Sequence, residues 1–167
     1  YAPSGRLPVT FYASTEQLPP FEDYRMEERT YRYFTGKCAY PFGFGLSYNH
    51  YSYSNLLAYR TDKGITASVE ITNNGSMASE ETVQAYIAWI NPASEMPQRQ
   101  LAAIQKIYLK PGENKSVELF IPEKELQIFT DEGKFIHHAG DIRLFVGGTQ
   151  PDEVSILKAG NAPLELI

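Results

Sequence analysis

The side chains able to do acid–base, nucleophilic or metal chemistry cluster at a few places in this 167-residue chain. They are the carboxylate pairs Glu22-Asp23, Glu27-Glu28 and Glu80-Glu81, the doublet His137-His138, and the single cysteine, Cys38. Two carboxyl groups work as acid and base only where their surroundings push their pKa values apart. These pairs sit next to polar or turn residues, where charged side chains stay solvated, so all three are expected on the surface. Neighbours on a strand point to opposite faces, so His137 and His138 cannot share an ion without a bend, and no further His or Cys cluster completes a metal site. Lys37 beside Cys38 would favour a thiolate, but no histidine is paired with it as a base. The residues therefore imply no catalytic, cofactor-binding or metal-ligating set.

The run Tyr40-Pro41-Phe42-Gly43-Phe44-Gly45-Leu46-Ser47-Tyr48 is a different kind of feature. Glycines and a proline threaded among aromatics fit neither a helix nor an ordinary strand. They predict a shaped loop that presents its rings as a rigid apolar wall.

The elements that would position such a loop read in period two. Ile65, Ala67, Val69 and Ile71 alternate with Thr66, Ser68, Glu70 and Thr72, which predicts a half-buried strand. After the turn Asn73-Asn74-Gly75-Ser76, the residues Val83, Ala85, Ile87 and Trp89 oppose Gln84 and Tyr86. Leu101 to Leu109 forms a weaker candidate strand. Beyond the turn Lys110-Pro111-Gly112-Glu113, the residues Val117, Leu119 and Ile121 form another apolar face. Phe129 and Phe135 flank a hairpin loop at Asp131-Glu132-Gly133. Further strands are predicted from Ile142 to Val146 and from Val154 to Leu157. Only the turn-like Pro122 to Leu126 has helical character. Six or seven short strands with turn punctuation predict an all-β fold, an immunoglobulin-like antiparallel β-sandwich. The Cys…Trp…Cys spacing of antibody domains is missing, which favours the fibronectin type III-like variety.

Composition changes near residue 50. The stretch before it carries Pro3, Pro8, Pro19, Pro20 and Pro41, many tyrosines and one convincing strand, Leu7 to Tyr12. A segment this irregular is expected to wrap a neighbour rather than form a core of its own. Fifteen lysines and arginines against twenty acidic residues give a net charge of -5 with no basic run, so nucleic acid is not an expected partner. No apolar stretch approaches a membrane span, and one cysteine excludes an internal disulfide. Asn74-Gly75-Ser76 and Asn114-Lys115-Ser116 match the glycosylation acceptor pattern.

Four groups of motifs, taken in order, resemble the C-terminal part of glycoside hydrolase family 3, the β-glucosidase and β-xylosidase family. They are Gly5-Arg6-Leu7-Pro8-Val9-Thr10-Phe11-Tyr12, Arg29-Thr30-Tyr31-Arg32-Tyr33-Phe34, the loop Tyr40 to Tyr48, and the later runs Glu81 to Ile87, Lys106 to Glu113 and Asp131 to Gly148. The resemblance implies that residues 1–50 are the tail of an upstream α/β sandwich domain plus a linker, and that residues 51–167 are a fibronectin type III-like domain. Ala102-Ala103-Ile104 departs from the glycine and aromatic usual there. The family takes its catalytic carboxylates from upstream domains, so the resemblance implies an inactive fragment without a cofactor. Its partners would be those domains, and the parent would act on β-linked oligosaccharides in a periplasmic or secreted setting. Phe42 and Phe44 would line the approach to the active site. The alternative is a carbohydrate-binding or adhesion module with Tyr51, Tyr53, Tyr59, Tyr86 or Trp89 on an open sheet face. Aromatics in residues 1–50 that lack their partner domains are expected to drive self-association, relieved when the chain starts near His50.

Overall fold

A computed structural model describes residues 2–91, 96–130, 133–137 and 140–167. In chain order the elements are β1 (Phe11–Tyr12), α1 (Thr30–Tyr33), β2 (Cys38–Tyr40), β3 (Tyr51–Thr61), β4 (Gly64–Asn73), β5 (Ser79–Trp89), β6 (Gln100–Leu109), β7 (Asn114–Pro122), β8 (Gln127–Phe129), β9 (Phe135–His137), β10 (Ile142–Gly147), α2 (Glu153–Ala159) and β11 (Leu164–Leu166). Short 3-10 turns occupy Thr15–Gln17 and Glu123–Leu126.

Two antiparallel sheets face each other, with strand orders β11-β10-β5-β6 and β3-β4-β7, as an antiparallel sandwich requires. Two small ribbons, β1-β2 and β8-β9, lie outside them. The core is the meeting of the two alternations read from sequence. Ile65, Ala67, Val69 and Ile71 of β4 and Val117, Leu119 and Ile121 of β7 pack against Val83, Ala85, Ile87 and Trp89 of β5 and Leu144 and Val146 of β10. Direct cross-strand pairing of Val69 with Val117 and of Ile87 with Leu144 keeps these faces in register, since a slip by one residue would turn every apolar side chain outward.

Two expectations change and one strand is additional. Val154 to Leu157 is not a strand but part of α2. Asp152 caps it by accepting from the Ser155 amide at 3.0 Å, and Gly160 at φ 77° ends it. Leu7 to Tyr12 contributes only Phe11–Tyr12 to a ladder. Pro8 has no amide to donate, and the Leu7 amide goes to the Phe44 carbonyl instead, at 2.9 Å. The eleven-residue β3 is the additional strand, hidden in the sequence because a register shift between Ser54 and Leu57, with Asn55 at φ 53°, breaks its alternation. The Phe129–Phe135 hairpin forms as expected, although Asp131 and Glu132 of its loop lie outside the described residues.

Adjacent β4 residues give a direct check on these faces. Val69 is buried in the core, whereas Glu70 lies on the outer face and accepts a 3.0 Å hydrogen bond from Asn55. Val69→Asp should cost several kcal/mol by burying an unpaired charge, and Glu70→Thr about 0.5 kcal/mol. Denaturant midpoints measure both, and equal shifts would contradict the register.

Candidate functional site: the junction between the N-terminal segment and β5

Strand β5 is buried on both sides. Its inner face makes core, and its outer residues Thr82, Gln84 and Tyr86 are covered as completely, by residues from the first fifty. Thr82 donates to the Ser4 carbonyl at 2.7 Å. The Gln84 amide donates to the carbonyls of Gly43 (3.0 Å) and Gly148 (2.9 Å), and the Tyr86 hydroxyl donates to the Gln84 side-chain oxygen at 2.6 Å. Burial, more than the neighbouring Tyr31, pushes the Tyr86 phenol well up from its ordinary value. Gly43 sits at φ 76° with its α-carbon against these two side chains, so any Cβ there would collide with the Tyr86 hydroxyl and the Gln84 amide. Tyr31 completes the cover. It stacks on Phe42 with centroids 3.9 Å apart, meets Tyr86 edge-on, and accepts from the Leu101 amide at 2.9 Å.

The centre of the junction is an ion pair. Arg6 reaches Glu81 at 2.9 Å, with side chains only 9% and 3% exposed. The Tyr53 hydroxyl on β3 donates to the other Glu81 oxygen at 2.7 Å, and Arg6 also donates to the Gly148 carbonyl at 3.1 Å. One carboxylate thus ties the N-terminal segment, both sheets and the turn after β10. Burial pushes the Glu81 carboxyl up, opposed by Arg6 and Tyr53, and burial also pushes the Tyr53 phenol up, with Glu81 adding to the effect.

This corrects the expectation that Glu80-Glu81 is solvated surface. Strand alternation sends Glu80 the other way, to Lys106 at 3.4 Å, so the two carboxylates cannot face one reacting atom. Asp23 is held at a pKa of about 2 by its hydrogen bonds from Arg25, and Glu28 accepts from the Thr35 amide at 3.0 Å. His137 is exposed and lies 3.2 Å from Glu123, while His138 falls outside the described residues. Among the described residues no group of three His, Cys, Asp or Glu could hold a metal. The Cys38 thiol is pushed up by burial and then by Asp152, the reverse of the activation that Lys37 suggested.

The Tyr40–Tyr48 run is the shaped loop expected, but its rings divide. Phe44 is 8% exposed and faces inward, whereas Phe42 is half-buried. Phe42 helps line a cleft of about 440 Å³ with Pro8, Val9, Tyr12, Met26 and Tyr31. Of the strand aromatics proposed for an open face, Tyr51, Tyr86 and Trp89 are buried, while Tyr59 is exposed. In the sequence Arg6 is only one member of the Gly5–Tyr12 motif, and nothing there marks its role. The only local signal is a lone arginine among apolar residues, because its partner Glu81 lies 75 positions away.

The residues 81–150 match the model of the fibronectin type III-like domain. The periplasmic β-glucosidase of Salmonella typhimurium is 32% identical over 88% of this chain, which covers 21% of that protein. A xylan 1,4-β-xylosidase of Xylanibacter ruminicola is 34% identical over 79% of the chain and 15% of its own length. The solved structure of β-glucosidase 3B from Thermotoga neapolitana in complex with glucose matches 99% of the chain and 24% of that protein, with 30% identity and a TM-score of 0.83. The class defined by fold and match is a fibronectin type III-like sandwich with a packed N-terminal extension. In sequence and fold the chain is a C-terminal part of a glycoside hydrolase family 3 protein, spanning about a fifth of the length of the curated relatives it matches.

Arg6→Ala leaves Glu81 buried without its counter-charge and should cost about 3–5 kcal/mol. The cost should also depend on pH. Removing Arg6 raises the Glu81 pKa further above its unfolded value, so the folded state holds the proton more tightly. The stability this supplies is present below the ordinary carboxylate range and is lost as pH rises through the raised value. Unfolding midpoints should therefore show a larger deficit for Arg6→Ala at pH 8 than at pH 5, and a pH-independent deficit would exclude a charged Glu81 at the junction.

Proposed function

We propose that this chain is the non-catalytic C-terminal piece of a retaining β-glycosidase acting on β-linked glucosides or xylosides, and that it braces the catalytic domains of the same polypeptide. Residues 1–50 would be the tail of the upstream α/β sandwich domain with its linker, and residues 51–167 the fibronectin type III-like domain. The observation that carries this reading is a prepared but uncovered loop. Phe21 and Tyr24 are 88% and 86% exposed, yet the loop bearing them is firmly built. Arg29 donates to the carbonyls of Arg25 (3.0 Å), Pro20 (3.2 Å) and Asp23, and Asp23 pairs with Arg25 at 2.7 Å. Two large rings fixed in solvent by such a scaffold fit an interface whose other half is another domain. The catalytic carboxylates belong to that missing half. Phe42 lines the cleft behind the loop and would face the approach to the active site, with Phe44 as the anchor that holds it.

Purified chain should hydrolyse aryl β-glucosides and β-xylosides no faster than buffer. Turnover that survives removal of contaminants and depends on a carboxylate of this chain would overturn the reading.

The uncovered loop also sets how the isolated chain self-associates. Starting the chain near His50 would bare Gln84 and Tyr86 and strip Glu81 of Arg6, so it would not relieve association. Replacing Phe21 and Tyr24 together by serine should lower the mass seen by light scattering, and an unchanged mass would exclude this loop as the contact.

A further inference from the structure

The two outer faces of the sandwich differ. The segment 1–50 occupies the outer side of β5, while the outer face of β3-β4-β7 is open. Strand register lays this open face out in cross-strand rows, each running from β3 through β4 to β7. The row at Thr66 is Tyr59–Thr66–Phe120, and the next is Leu57–Ser68–Glu118. Tyr59 and Phe120 are 58% and 51% exposed, and neither belongs to the core cluster. The two rings belong to strands on either side of β4, whose backbones lie about 9.6 Å apart, twice the inter-strand spacing. Between and beside them lie hydroxyls and carboxylates: Thr66, the Ser68–Ser116 pair at 3.3 Å, Glu118, and Glu70 with its Asn55 donor.

We propose that this face is a stacking platform for an extended, neutral β-1,4-linked glycan, with Tyr59 and Phe120 each packing against the apolar C–H face of a sugar ring. The spacing of the two strands suits the two-residue repeat of such a chain, in which alternate rings present the same face. Charge selects the occupant. None of the twelve positions in the four cross-strand rows is lysine or arginine, and Glu70 and Glu118 are both acidic. The face therefore repels polyanions, and pairing with a second copy would set like charges together. A neutral ligand rich in hydroxyls matches both the rings and the acceptors. The platform lies on the side of the sandwich away from residues 1–50, so it stays free when that segment is engaged elsewhere.

Affinity electrophoresis in β-1,4-xylan, with titration of xylohexaose and cellohexaose against the full chain, tests this. The chain should be retarded and should bind the β-linked hexaoses but not maltohexaose. Tyr59→Ala and Phe120→Ala should each weaken binding about tenfold, with unfolding midpoints unchanged because both side chains are exposed. Tyr108→Ala, at an exposed ring on the other sheet, should leave binding unaltered. Absence of binding, binding insensitive to both substitutions, or equal binding of maltohexaose would overturn the proposal. So would substitutions whose effect is a lower mass in light scattering without loss of glycan binding, since that assigns the face to a second copy.

Discussion

The buried pair of Arg6 and Glu81 is the constraint on which the rest of the molecule depends. A carboxylate taken out of water is costly unless its oxygens are answered, and here one oxygen meets Arg6 while the other accepts from Tyr53. Removing any partner leaves a charge or donor stranded in the interior. The three groups come from an N-terminal segment and from strands of opposite sheets, so the requirement to stay paired fixes three pieces of chain relative to one another. Arg6 also answers the Gly148 carbonyl, which Gln84 shares, so the ion pair and the amide network on β5 form one unit.

Seen from β5, the protein has three layers rather than two. The sheets enclose an ordinary apolar core, and the segment from Ser4 to Phe44 makes a third layer on the outer side through hydrogen bonds as much as apolar contact. This explains how fifty residues with little regular structure stay ordered. Their backbone groups are met by one another and by β5, as in the Leu7 to Phe44 and Gly43 to Leu7 bonds at 2.9 and 2.8 Å. The outward side of that layer carries the Phe21 and Tyr24 loop, and the far sheet carries the Tyr59 and Phe120 row, so two apolar surfaces of different character lie on opposite sides of the core.

The strands of the core were legible because their alternation is simple: β4, β7 and β10 show one apolar face and little else to confuse the period. Period two tells which residues share a face but not what covers that face. Gln84 and Tyr86 therefore looked like the polar side of β5, and Glu81 looked like surface, until the N-terminal layer was in place. β3 escaped because its bulge at Asn55 resets the alternation midway, and the run from Val154 to Leu157 misled because its β-branched and apolar residues outweighed the Asp152 cap and the Gly160 stop. The Tyr40–Tyr48 loop was recognisable as shaped from its glycines. Which ring would be buried depended on packing that the glycine spacing does not show: Phe42 stacks on Tyr31 and stays half-buried, while Phe44 stacks on Tyr40 and is buried.

If the ion pair welds the segment to the sandwich, the two must open together. Native-state amide hydrogen exchange of Leu7 and Gly43, compared with core amides of β5, measures this directly. A single cooperative unit predicts the same opening free energy for both sets, equal to that of global unfolding. Exchange of Leu7 and Gly43 through a much cheaper local opening, with β5 still protected, would contradict the account and reduce the N-terminal layer to a loosely held strap.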